Sequence, residues 1–170
     1  MVLTLFIGRQ ATYNDVLARK YADPSLIEGF EFENIQFMTT DKLNIRGWLI
    51  KSPNNPSNRV LIVLHGWQRT RTRQIQNIHL FLDQGFHILA YDQRAHGESD
   101  TSLITFGKKE SLDLLAALNY WKNRPDINSS RIGIVAFSLG AAATIYASQT
   151  FTLEDIKVIV LEGVFATSYE

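Results

Sequence analysis

From Arg59 to Leu161 the chain alternates short apolar runs with stretches of helical spacing, and this alternation restricts its possible folds more than any other feature. Residues 60–64 form a continuous apolar run rich in β-branched residues, as expected of a strand covered on both faces. Residues 86–91, 132–135 and 158–161 repeat that pattern. Between them, Ile75, Ile78 and Leu82 fall at helical spacing and Gly85 follows as a C-terminal stop. Leu114, Leu118 and Trp121 mark a second helix ended by Pro125, and residues 139–148 a third. Such alternation predicts right-handed βαβ units on a parallel sheet. Upstream, Phe30, Phe32, Ile35 and Phe37 alternate with Glu31, Glu33 and Gln36, with a slip near Asn34 that predicts a bulge. Thr40-Asp41-Lys42 reads as a turn, after which Leu43, Ile45, Gly47 and Leu49 resume the alternation, giving an antiparallel hairpin. The predicted fold class is α/β: a mostly parallel sheet with an N-terminal antiparallel hairpin and helices on both faces.

A chain of 170 residues fits one domain with a sizeable core. The expected division is an N-terminal extension over 1–28, with a short helix around Tyr13 to Tyr21, and a domain over 29–170. Seventeen basic residues balance seventeen acidic ones, which gives no support for nucleic acid or an anionic membrane as partner. With no cysteine, disulfides, thiolate catalysis and Cys-based metal sites are excluded. His65, His79, His87 and His96 lack metal-ligand spacing, and no cofactor motif is present, so neither metal nor cofactor is expected. The apolar residues 2–7 are too few to span a bilayer and lack a basic leader and a cleavage site. They read first as an element packed on the domain of a cytoplasmic protein. The alternative is the end of a membrane anchor.

In parallel sheets chemistry gathers beyond the carboxyl ends of the strands. The run 132–135 leads into Ala136-Phe137-Ser138-Leu139-Gly140, a serine at a sharp strand-to-helix turn flanked by small residues. Small neighbours are needed where strand and helix backbones pass closely, and the next N–H sits at a helix N-terminus that favours negative charge. The run 60–64 ends in His65-Gly66-Trp67-Gln68, where glycine permits close backbone approach. The run 86–91 ends in Asp92-Gln93-Arg94-Ala95-His96-Gly97-Glu98-Ser99, whose Asp, Arg and His suggest a mutually hydrogen-bonded turn. Arg69, Arg71 and Arg73 read most simply as a solvated loop and helix start; an anionic-substrate site is the sharper alternative.

Taken in order and spacing, these residues resemble the α/β-hydrolase superfamily over roughly residues 28 to 165. His65-Gly66 is similar to its oxyanion loop, and Asp92-x-Arg94-x-His96-Gly97-x-Ser99 to the loop after its fourth strand. In that second loop Ala95 stands where Gly is usual. Ala136-x-Ser138-x-Gly140 is similar to the nucleophile elbow, with Ala for the first Gly. The stretch Thr40-Asp41-x-Leu43-x-Ile45-x-Gly47-Trp48 resembles the serine aminopeptidase-like and dienelactone hydrolase-like esterases. The resemblance implies that Ser138 is a nucleophile toward an acyl carbonyl. It implies that the backbone N–H groups of Trp67 and Leu139 hold the oxyanion, and that His65 and the 92–99 loop are scaffold.

The superfamily's order is Ser, then Asp or Glu, then His, yet no histidine follows Ser138. Glu162, at the end of the last apolar run, reads first as an ordinary strand-end carboxylate and second as the acid. The expectation is therefore an N-terminal portion of a serine esterase or peptidase whose histidine lies outside this sequence. The run 158–161 would then be left at an open edge suited to self-association or a complementing segment. A small acyl substrate is the expected partner. A non-catalytic hydrolase-fold binding module and an acyltransferase or thioesterase relative are the alternatives.

Overall fold

The computed structural model describes residues 24–54, 59–124, 131–151 and 156–164. The helix expected around Tyr13 to Tyr21, the apolar residues 2–7 and Pro125 lie outside them. Six strands form one sheet: β1 (Phe32–Met38), β2 (Asn44–Ile50), β3 (Arg59–Leu64), β4 (His87–Tyr91), β5 (Arg131–Phe137) and β6 (Ile156–Glu162). Their spatial order is β1-β2-β4-β3-β5-β6. β1 and β2 form the antiparallel hairpin, β2 joins β4 antiparallel, and β4, β3, β5 and β6 are mutually parallel. Among the described residues there are three α-helices: α1 (Ile78–Asp83), preceded by a 3-10 stretch over Arg71–Asn77, α2 (Glu110–Lys122) and α3 (Leu139–Ala147).

Both faces of the sheet are covered, which is why β3 and β4 are apolar without alternation. Ile62, Leu64, Leu89 and Tyr91 point toward one core with Leu114, Leu118 and Trp121 of α2 and Ala141, Ala143 and Ala147 of α3. Leu61, Val63, Ile88 and Ala90 point the other way, toward Ile78 and Leu82 of α1. Burying one such aliphatic side chain contributes about 1.5–3 kcal/mol, so the central strands carry much of the domain's stability.

The bulge expected near Asn34 does not form. The hairpin register runs unbroken from Phe32 opposite Ile50 to Met38 opposite Asn44. The slip in the sequence pattern has another cause. Ile35 and Phe37 face the α2 side, while Phe32 lies on the opposite face and packs edge-on to Trp48 at 6.1 Å. Asn34 accepts the Trp48 indole N–H at 3.0 Å, so a polar residue closes an apolar layer.

β6 pairs only with β5 among the described residues, at the opposite edge of the sheet from β1. Val158 and Val160 on it are 48% and 50% exposed, whereas Ile159 and Leu161 pack on the core.

Candidate active site

The β5–α3 corner is built by close packing. Gly140 opens α3 against the end of β3, where an added Cβ would lie 2.5 Å from Leu64 Cβ and 2.9 Å from the His65 carbonyl oxygen. No residue with a side chain fits there, and the helix is drawn tightly under the strand end. Ser138 takes up the turn at φ 48° and ψ −107°, a conformation that L-residues adopt only under constraint. Its N–H donates to the Glu162 carbonyl at 2.8 Å, and its carbonyl accepts the first helical bond from Ala142 at 3.0 Å. The corner is therefore held by both β6 and α3.

The loop after β3 lies directly opposite. A Cβ on Gly66 would stand 3.4 Å from Ser138 Cβ. The backbone N–H groups of Trp67 and Leu139 donate to no acceptor among the described residues; for Leu139 this is expected of the first N–H of a helix. Ser138, Gly66, Trp67 and Leu139 are thus brought together. Glu162 reaches the corner through its main chain, and its residue is exposed at the sheet edge.

Two histidines fix the loop after β3. His65 is fully buried; its Nδ1 donates to the Gly66 carbonyl at 2.8 Å and its Nε2 accepts the Gln93 N–H at 3.0 Å. His96 packs edge-on to it at 5.0 Å, donates from Nδ1 to the Arg94 carbonyl and accepts the Gln68 N–H at Nε2. Burial drives the His65 pKa down to about 3, aided by His96, and lowers that of His96 as well. Both rings are neutral Nδ1–H tautomers with the Nε2 lone pair already used. His87 accepts the Ser52 N–H, and His79 packs exposed against Phe30. None of the four is placed as a base for Ser138.

One expectation needs correction. Arg71 is not solvated: it is 3% exposed, its Nη1 donates to Asp92 at 2.7 Å, it pairs with Glu98, and its guanidinium lies 4.4 Å over the Trp48 ring. The 92–99 loop is hydrogen-bonded within itself as expected, with His96 Nδ1 donating to the Arg94 carbonyl and Asp92 accepting the Glu98 N–H, but its charged side chains also reach outside it. Asp92 faces Arg71, while Arg94 bridges Asp41 in the hairpin turn and the fully buried Asp113 on α2. Burial raises Asp113 to about 7 against the pull of Arg94, and the Arg94 hydrogen bond lowers Asp41 to about 2. The bridge from Arg94 to Asp41 and Asp113 was not legible in the sequence. The only signal for Asp113 is an acid in the first turn of a helix, where a macrodipole role is the simpler explanation.

A constrained serine at the carboxyl end of the inner parallel strand β5, facing a glycine loop and a helix N-terminus, defines an α/β scaffold of the hydrolase type. The alpha/beta hydrolase family model matches residues 61–169, and the chain belongs to that family. It is 30% identical over 150 residues to the uncharacterized YqkD protein of Bacillus subtilis, covering 85% of this chain and 48% of that one. Over 119 residues it is 26% identical to a polyketide transferase of Aspergillus fumigatus, covering 68% of this chain and 40% of that one. Among solved structures, an esterase from Pyrococcus furiosus superposes with a TM-score of 0.65 at 33% identity, over 78% of this chain and 51% of the esterase. The chain spans about half the length of the curated relatives it matches. No helix among the described residues is long and apolar enough to cross a membrane.

Proposed function

We propose that this chain carries the nucleophile-bearing part of a serine hydrolase that cleaves carboxylic esters through an acyl-enzyme on Ser138. The observation that carries this reading is the constrained corner at Ser138, with φ 48° and ψ −107°, facing Gly66 across a Cβ-width gap. In the proposed step Ser138 Oγ attacks the acyl carbonyl carbon and loses its proton to a base. The carbonyl oxygen becomes an oxyanion held by the N–H groups of Trp67 and Leu139, each worth about 3 to 4 kcal/mol in such sites. Collapse expels the alcohol, which takes up that proton, and water later releases the acid. Since His65 and His96 use both ring nitrogens in structural bonds, the base in this proposal lies outside the 170 residues. Glu162 remains the candidate acid partner for that base. The Pyrococcus furiosus esterase supports ester rather than peptide chemistry.

Mixing the chain with a nitrophenyl ester tests this. Slow release of at most about one equivalent of nitrophenolate, lost in Ser138→Ala, is expected. Sustained turnover that Ser138→Ala abolishes would place the base within the chain. Sustained turnover that survives Ser138→Ala would overturn the proposal. Acyl transfer is the second reading, favoured by the Aspergillus fumigatus polyketide transferase among the relatives. Product analysis with an added alcohol or amine acceptor separates the two.

A further inference from the structure

The loop after β4 brings a second aromatic residue to the Ser138 corner, and neither the family match nor the relatives assign it a role. Phe106 packs edge-on to Trp67, with ring centroids 5.7 Å apart. Trp67 follows Gly66, the residue facing Ser138, and its N–H is the proposed oxyanion donor. Its side chain therefore leaves the backbone one residue from where an acyl carbonyl would sit. Phe106 is tied to the same corner from the other side. A Cβ on its neighbour Gly107 would lie 2.9 Å from the Ala142 backbone, and Ala142 closes the first turn of α3 on Ser138.

The position of Phe106 is imposed rather than relaxed. Its φ is +51°, unusual for a bulky side chain, and Gly107 follows at +121°. The fully buried Glu110 carboxylate enforces that turn: it accepts the Thr105 N–H, the Thr105 hydroxyl and the Gly107 N–H, each at 2.8 Å. A buried carboxylate given over to one loop, and a strained aromatic held by it, are features that persist where a side chain must keep a fixed place. Both rings remain only half-buried, and Leu103 on the same loop is 59% exposed.

We infer that Trp67 and Phe106, with Phe106 fixed by Glu110, form the wall against which the acyl group of the substrate packs, so that the site prefers a bulky apolar acyl group to acetyl. The inference rests on the proposed role of Ser138. Phe106 is a specificity-determining residue in this account, and Glu110 a positioning residue.

Two fluorophosphonates test it, one carrying phenylethyl and one methyl on phosphorus as mimics of a bulky and a small acyl group. In either reaction Ser138 Oγ forms a P–O bond, the P–F bond breaks, fluoride leaves and the serine proton passes to the buffer. The 170-residue chain is expected to react with the phenylethyl reagent at least about tenfold faster. Phe106→Ala should bring the two rates within about twofold. Phe106→Gly should do the same while relaxing the positive φ, which keeps the test valid if Phe106→Ala folds poorly. Equal rates in the unaltered chain, or a preference that survives both substitutions, would overturn the inference while leaving Ser138 labelled. Labelling that persists in Ser138→Ala would instead sink the proposed function and this inference with it.

Discussion

Ser138 sits in a conformation that costs stability, and its side chain makes no hydrogen bond among the described residues to repay that cost. Strain of this kind is of order 1–3 kcal/mol. Ser138→Gly should therefore raise the unfolding free energy by about 1 kcal/mol, after allowing for the entropy glycine loses on folding, while abolishing covalent labelling. Urea unfolding of both forms checks this; a less stable glycine variant would show that the corner is unstrained. The serine was legible from Ala136-x-Ser138-x-Gly140 because small residues around a strand-to-helix turn answer to one local geometry. Arg71 was not legible. Its burial depends on Asp92, 21 residues away, and on Trp48 of β2, and an arginine run looks the same whether solvated or stacked.

At the scale of elements, the helices and parallel strands were readable because periodicity reports which faces are covered. The ties between elements were not, since they join residues far apart in sequence. Arg94 is the main example: one guanidinium holds the hairpin turn through Asp41 and α2 through Asp113. Removing it leaves a carboxylate without its partner at a fully buried position, a loss of about 3–5 kcal/mol. Arg94→Met should lower stability by that amount in chemical denaturation. A change below about 1 kcal/mol would mean that the bridge is incidental. The same reasoning explains the missing bulge near Asn34. A break in alternation signalled a residue serving the opposite layer, which a single-strand pattern cannot distinguish from an inserted one.

For the molecule as a whole, the two neutral histidines under the loop after β3 link stability to pH. His65 titrates near 3 when folded and near 6.5 when unfolded. Between those values the unfolded chain binds the extra proton, so this contribution is fully present above about 6.5 and is lost as pH falls toward 3. The slope is about 1.4 kcal/mol per pH unit. Asp113, raised to about 7, acts in the opposite sense, so the comparison must isolate His65. The stability advantage of the unaltered chain over His65→Gln should shrink between pH 6 and pH 4; a constant difference would contradict the neutral assignment. With Val158 and Val160 half exposed on the edge strand β6, we predict self-association of the isolated chain, reduced by Val160→Lys. Sedimentation velocity that gives the same profile for both forms would rule out this edge as the cause.

We propose that Ser138 is a positioned nucleophile whose base lies elsewhere. Intact-mass analysis after long exposure to a fluorophosphonate, followed by peptide mapping, tests it most directly. One adduct per chain is expected, located on Ser138 and absent from Ser138→Ala. An unmodified chain, or an adduct on any other residue, would contradict it.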